Sequence, residues 1–189
     1  MRSTPCVGAI VLLLVLAASI GRAETPAATD PAMQELLADA ETAPELTAAL
    51  QCRDSGDDDA ALAHLRRANA TVKKKHGPNN LQQLPILELA GEILFVGGRY
   101  AEAVTPFERS VAIREPLAAE DNNKDQKVAL ASILLLLGKA YAETGNAGNA
   151  VSALTRAVDL FTATLGEDHE ATQVARRALA TASAGKGAG

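Results

Sequence analysis

The sequence predicts an all-α fold, a solenoid of three helical hairpins with a capping helix at each end. Three observations predict it. The chain is rich in Ala and Leu yet holds only three Phe, two Tyr and no Trp, which suits close-packed helices and speaks against a β-sandwich built from aromatic and β-branched strands. Met33, Leu36, Leu37 and Ala40 recur at helical spacing behind an Asp30-Pro31 start signal. A glycine-centred hairpin pattern then occurs three times. The 189 residues suffice for one domain with a packed core.

The N-terminus reads separately. Arg2 gives a positive start, Val7 to Ile20 is uncharged and apolar, and Gly21-Arg22-Ala23 ends in small residues suited to signal peptidase. Residues 1–23 therefore read as a signal peptide cut after Ala23, and export to the periplasm or beyond is expected. The apolar run is shorter than the roughly 20 residues of a membrane span, although the uncharged stretch from Ser3 to Gly21 also suits an uncleaved anchor. Cys6 lacks the flanking residues of a lipoprotein signal. Residues 24–30 read as a flexible lead-in, 31–183 as the repeat domain and 184–189 as a disordered tail. Cleavage removes Arg2 and Arg22 and shifts the formal net charge from −5 to −7. That acidity argues against nucleic acid or an anionic lipid surface as the main partner. Cys52 would be the one remaining cysteine, so no internal disulfide is available.

A lone helix is predicted from Pro31 to Glu41. Thr42 followed by Glu45 is a capping-box signal for the next helix. The three hairpins are Leu46 to Gly56 with Asp57 to Ala68, Glu88 to Gly98 with Arg99 to Phe107, and Leu137 to Gly145 with Asn146 to Ala157. Their turn glycines, Gly56, Gly98 and Gly145, are 42 and 47 residues apart. Glycine at such a turn reaches backbone angles costly for other residues, and a small residue on each helix lets two axes approach. Each hairpin leaves an apolar face open, so neighbours must stack and the ends need caps. Thr172 to Ala182, with Val174, Ala175, Ala178 and Leu179 on one side, is the C-terminal cap.

The pattern resembles the tetratricopeptide repeat (TPR), with its small eighth residue at Gly91 and Gly138, its small residue of the second helix at Ala61, Ala103 and Ala150, and its bulky residue four positions on at Leu65, Phe107 and Leu154. The units exceed the roughly 34 residues of a standard repeat. They resemble instead the lengthened repeats of kinesin light chain, which run into Leu-Gly-x-x-His-Pro: Leu165-Gly166-Glu167-Asp168-His169-Glu170 matches except at Glu170, and Lys75-His76-Gly77-Pro78-Asn79 is a blurred copy. The middle unit lacks this signature.

That resemblance implies a concave groove lined by the first helices, holding a peptide against Leu46, Leu50, Arg53 and Asp54, then Glu88, Glu92, Phe95 and Val96, then Leu135, Lys139, Ala142 and Glu143. Two alternatives compete: the helix at Pro31 to Glu41 folds over the groove, or Phe95 and Leu135 simply pack together. Ile133 to Leu137 is apolar at five consecutive positions, more than one buried face needs, which makes one of them a candidate exposed anchor. A helix surrounded by neighbours would show the same run. The groove lacks the Lys, Asn and Arg clamp with which some TPR proteins hold a C-terminal carboxylate. Its acids suit a mildly basic or amphipathic segment.

No catalytic or cofactor constellation stands out. His64, His76 and His169 lie apart and at no metal-ligand spacing; His64 reads as a solvated helix residue and His169 as a corner residue. Asp121-Asn122-Asn123-Lys124-Asp125 opens like a calcium loop, but Gln126 and Ser132 stand where its glycine and bidentate Glu belong. Asp57-Asp58-Asp59 suits a helix N-terminus. Asn69-Ala70-Thr71, formally a glycosylation acceptor, falls mid-helix. The expectation is an exported, non-enzymatic scaffold binding a protein segment without metal or cofactor. Self-assembly through the open ends into a homo-oligomeric envelope spacer is the alternative.

Overall fold

A computed structural model describes residues 31–119 and 123–186. The signal and lead-in readings lie outside these residues, as do Asp121 and Asn122 of the calcium-like stretch. Among the described residues there are eight α-helices and no strand. They are α1 (Pro31–Ala38), α2 (Ala43–Ser55), α3 (Asp58–His76), α4 (Leu84–Val96), α5 (Tyr100–Ala118), α6 (Lys124–Glu143), α7 (Ala147–Leu165) and α8 (Glu170–Lys186), with a 3₁₀ turn at Leu81–Gln83 before α4. Hairpins α2/α3, α4/α5 and α6/α7 stack in order, and α8 packs on α7 and α6. No helix among the described residues is long and apolar enough to cross a membrane.

The three hairpin turns have one backbone solution. Gly56, Gly98 and Gly145 take φ of 80°, 73° and 76°, the left-handed region where a Cβ is costly. Each donates its N–H to the carbonyl three residues back, at Arg53, Phe95 and Ala142. The next residue in each turn reaches five back, from Asp57 to Cys52, Arg99 to Leu94 and Asn146 to Tyr141. This pairing satisfies carbonyls that the helix end would leave open. Asp57 and Asn146 then cap the following helix through their side chains. Arg99 cannot, and its guanidinium instead binds Glu102 and, across the repeat boundary, Asp59.

Small residues bring the paired helices together. A Cβ on Gly91 would lie 2.4 Å from the Phe107 ring, and one on Gly138 would lie 2.6 Å from Leu154 Cγ. Ala61, Ala103 and Ala150 are each 0% exposed, so the space beside them is full.

The lengthened corner also occurs twice. Gly77 and Gly166 share left-handed φ with extended ψ (86°/171° and 95°/166°), and their N–H groups close the ends of α3 and α7 on Lys73 and Thr162. Three residues on, Asn80 Oδ1 accepts from Gln82 N and His169 Nδ1 accepts from Ala171 N. Asn80 thus does in the first unit what His169 does in the third, and the blurred copy is a structural equivalent.

Five expectations are corrected. The first helix stops at Ala38, where Asp39 Oδ1 takes the N–H groups of Glu41 and Thr42 and turns the chain. The Thr42/Glu45 capping box does not form, because the Thr42 hydroxyl donates to the Leu36 carbonyl at the end of α1 while Glu45 is drawn to His64 and Arg67 on α3. His64 is accordingly half-buried in this cluster and not simply solvated. Ile133 to Leu137 are all buried, since α6 is enclosed by α5, α7 and α8, and the run supplies no exposed anchor. Finally, the C-terminal cap begins at Glu170 and continues through Lys186, into the stretch read as a tail.

Replacing Ala150 with Glu should cost several kcal/mol or abolish folding, since overpacking and an unpaired buried charge both apply. Gly148→Ala, also in α7 but with nothing within 4 Å of its added Cβ, should be neutral or stabilise by up to ~1 kcal/mol. Denaturant unfolding of the two variants checks both.

Candidate functional site

The face lined by α2, α4 and α6 divides into a covered and an open part. Helix α1 packs on α2, the 3₁₀ turn and α4, burying Met33, Leu36 and Leu46 at 1%, 3% and 0% exposure. Gln82 Nε2 to Glu35 and Lys75 to Asp39 pin it there. Leu46 is therefore core, as is Leu135 at 1% exposure, and neither offers surface to a peptide. Leu50 is half-buried and packs on the core.

The open part lies over the C-terminal halves of the three helices. From α2 come Arg53 and Asp54, paired at 2.8 Å on adjacent positions. From α4 come Glu92, Phe95 and Val96, and Val96 is one of two large apolar side chains that stand exposed among the described residues. From α6 come Lys139, Ala142 and Glu143, the last two exposed. The Phe95 ring is buried edge-on against Tyr100, 5.1 Å between centroids, and Lys139 Nζ sits 5.7 Å above its centroid, within range of a cation–π contact. Phe95 and Leu135 are thus both packing residues, and Phe95 serves the face by seating Lys139.

Two acids on α4, one turn apart, have opposite fates. Glu88 accepts from Arg114 Nε at 2.6 Å and Nη2 at 2.9 Å, and from the Ser110 hydroxyl at 2.5 Å; Arg114 also donates to Gln126 Oε1 at 2.8 Å. This closed network ties α4 to α5 and α6, so Glu88 is a structural ion pair and unavailable to a ligand. Glu92 has no hydrogen bond or ion pair among the described residues. Desolvation, reinforced by the Glu88 charge and only partly offset by Arg53, pushes its carboxyl up to about 7. Lys139 is shifted down by burial, against the pull of Glu143. The face thus holds an acid that has lost solvation without a hydrogen bond or ion pair among the described residues, and a base set over the Phe95 ring, beside an exposed Val96.

Comparison with known proteins fits this architecture. Tetratricopeptide-repeat models match residues 40–115 and 130–171, together more than half of the chain. The chain belongs to the tetratricopeptide-repeat family. Among solved structures, a Podospora anserina kinesin light chain with nearly identical TPR-like repeats superposes with a TM-score of 0.58 at 20% identity, covering 95% of this chain and 77% of that one. A point variant of that same protein gives 0.59 at 20% identity, with 94% and 76% covered. No curated protein matches. The TPR fold is a protein–protein interaction scaffold, and the kinesin-light-chain repeats of the superposed structures are similar to this chain in fold.

Arg53, Glu92, Lys139 and Glu143 all lie on the face lined by the first helices, but the contacts that set their state were not readable from the repeat spacing. The Arg114 partner of Glu88 lies in the second helix, outside the periodic groove positions, and only its 26-residue separation across a hairpin could have hinted at it. In the TPR domain, the Glu92 carboxyl binds its proton more tightly folded than unfolded, so its contribution is most favourable below about pH 4.5, is lost as pH rises to about 7, and is then constant. Glu92→Gln should therefore raise stability at pH 8 by roughly 1–3 kcal/mol and leave it near wild type at pH 4.5. Urea midpoints of both proteins across pH 4.5–8 measure this.

Proposed function

We propose that the protein is an exported TPR scaffold that holds a segment of another envelope or secreted protein against the open part of its concave face. The observation carrying this reading is the strip of Arg53, Glu92, Val96, Lys139 and Glu143, which leaves an exposed apolar side chain beside a Glu92 carboxyl that has no hydrogen bond or ion pair among the described residues. A segment with a basic residue flanked by apolar ones complements it: the basic group reaches the Glu92 carboxylate, and an apolar side chain covers Val96. Export rests on residues 1–23, whose charge and apolar pattern is that of a signal peptide.

The test must use residues outside the core, the exposed Val96 and the half-buried Lys139, since truncating Phe95 or Leu135 would open a cavity. Val96→Asp combined with Lys139→Glu should retain the wild-type circular dichroism spectrum and lose the partners that wild-type protein retains from an envelope fraction. Identical partner lists would contradict the groove assignment. Mass spectrometry of the envelope-extracted chain should show an N-terminus at Glu24, and an intact Met1 would contradict cleavage.

A further inference from the structure

A cleft on the other side of α4 has no role in this peptide-holding reading. It opens between α3, α4 and α5 with a volume of about 330 Å³, at the lower end of the roughly 300–1,000 Å³ typical of small-molecule sites. By helical periodicity, Ile86, Leu87, Ala90 and Leu94 project opposite Glu88, Glu92 and Phe95. Together with Leu62 and Leu65 of α3 they make an apolar floor. Pro106 on α5 lines the wall; it lacks an N–H, so the preceding turn loses a helical hydrogen bond beside the cleft.

The rim is cationic although the chain is acidic. Arg66 of α3 and Arg109 of α5 line the cleft, and neither forms an ion pair among the described residues. The one acid of the lining, Glu102, is already held by two bonds of 2.7 Å from Arg99, and Arg66 only adds to the field that keeps it ionised. Asn69 and Thr105 are the remaining polar residues of the lining, and Asn69 uses its Oδ1 to accept from Gln83 Nε2 at 2.8 Å. The cleft therefore pairs an apolar floor with two guanidinium groups that form no ion pair among the described residues.

We propose that this cleft binds a small anionic amphiphile, its apolar chain on Leu62, Leu87, Ala90 and Leu94 and its carboxylate or phosphate between Arg66 and Arg109. Guanidinium groups favour such oxoanions because their N–H donors match two oxygens at once. The site is independent of the peptide face, and each can fail alone.

Calorimetric titration of the intact protein with decanoate, decyl phosphate and decyltrimethylammonium tests it, with methyl NMR shifts locating the bound chain. At least one anion should bind and move the Leu62, Leu87 and Leu94 methyls, and the stronger of the two names the headgroup. The cationic analogue should bind at least tenfold more weakly. The variant Arg66→Gln plus Arg109→Gln, both side chains lying on the rim and outside the core, should lose about tenfold or more in affinity. Equal binding of cation and anion, unchanged affinity in the double variant, or shifts centred on Val96 would overturn the proposal.

Discussion

Two helix pairs in this solenoid can approach closely only because no Cβ stands between them. At Gly91 the missing atom makes room for the Phe107 ring, and at Gly138 for the isobutyl group of Leu154. Those bulky residues come four positions after Ala103 and Ala150, so each hairpin locks a small residue of one helix against the other at two successive levels. The left-handed turn glycines return the chain so that this register is met. Hairpin angle, the stacking of neighbours and the position of the first helices all follow from the same approach.

Polar devices finish what packing begins. The network of Glu88, Ser110, Arg114 and Gln126 joins the second hairpin to the third where the middle unit lacks the Leu-Gly-x-x-His corner. Arg99 does the corresponding work toward the first hairpin through Asp59. Removing partners from Glu88 would strand a half-buried charge, so the middle unit, least regular in sequence, depends most on specific side-chain pairing. Glu92 sits one turn away with its carboxyl pushed up by the same burial and by Glu88 itself. A residue of the open face and a structural residue thus share one electrostatic environment.

Much of the fold was readable because it depends on local chemistry with fixed spacing. The turn glycines, the buried alanines and the His169 corner each answer to backbone geometry within a few residues. What escaped was decided by neighbours distant in sequence. Leu46 looks like a groove residue by its place in the repeat, yet α1 covers it; Ile133 to Leu137 overfill one helical face, yet helices surround α6 on several sides. Thr42 and Glu45 have the spacing of a capping box, but a carbonyl on α1 and a cation cluster on α3 compete for them more successfully. The charges of the open face were legible as positions, whereas their solvation and pairing were not, because Arg114 and Tyr100 enter from the second helix.

The central claim is that the glycine and the bulky side chain act as one unit, which a double-mutant cycle on Gly91→Ala and Phe107→Leu measures directly by equilibrium unfolding. Gly91→Ala alone should cost about 1–3 kcal/mol through overpacking, and in the Phe107→Leu background the same change should cost at least ~1 kcal/mol less, because the smaller side chain vacates the space the new methyl needs. Additivity within about 0.5 kcal/mol would show that the two residues do not share that space, and would contradict the account.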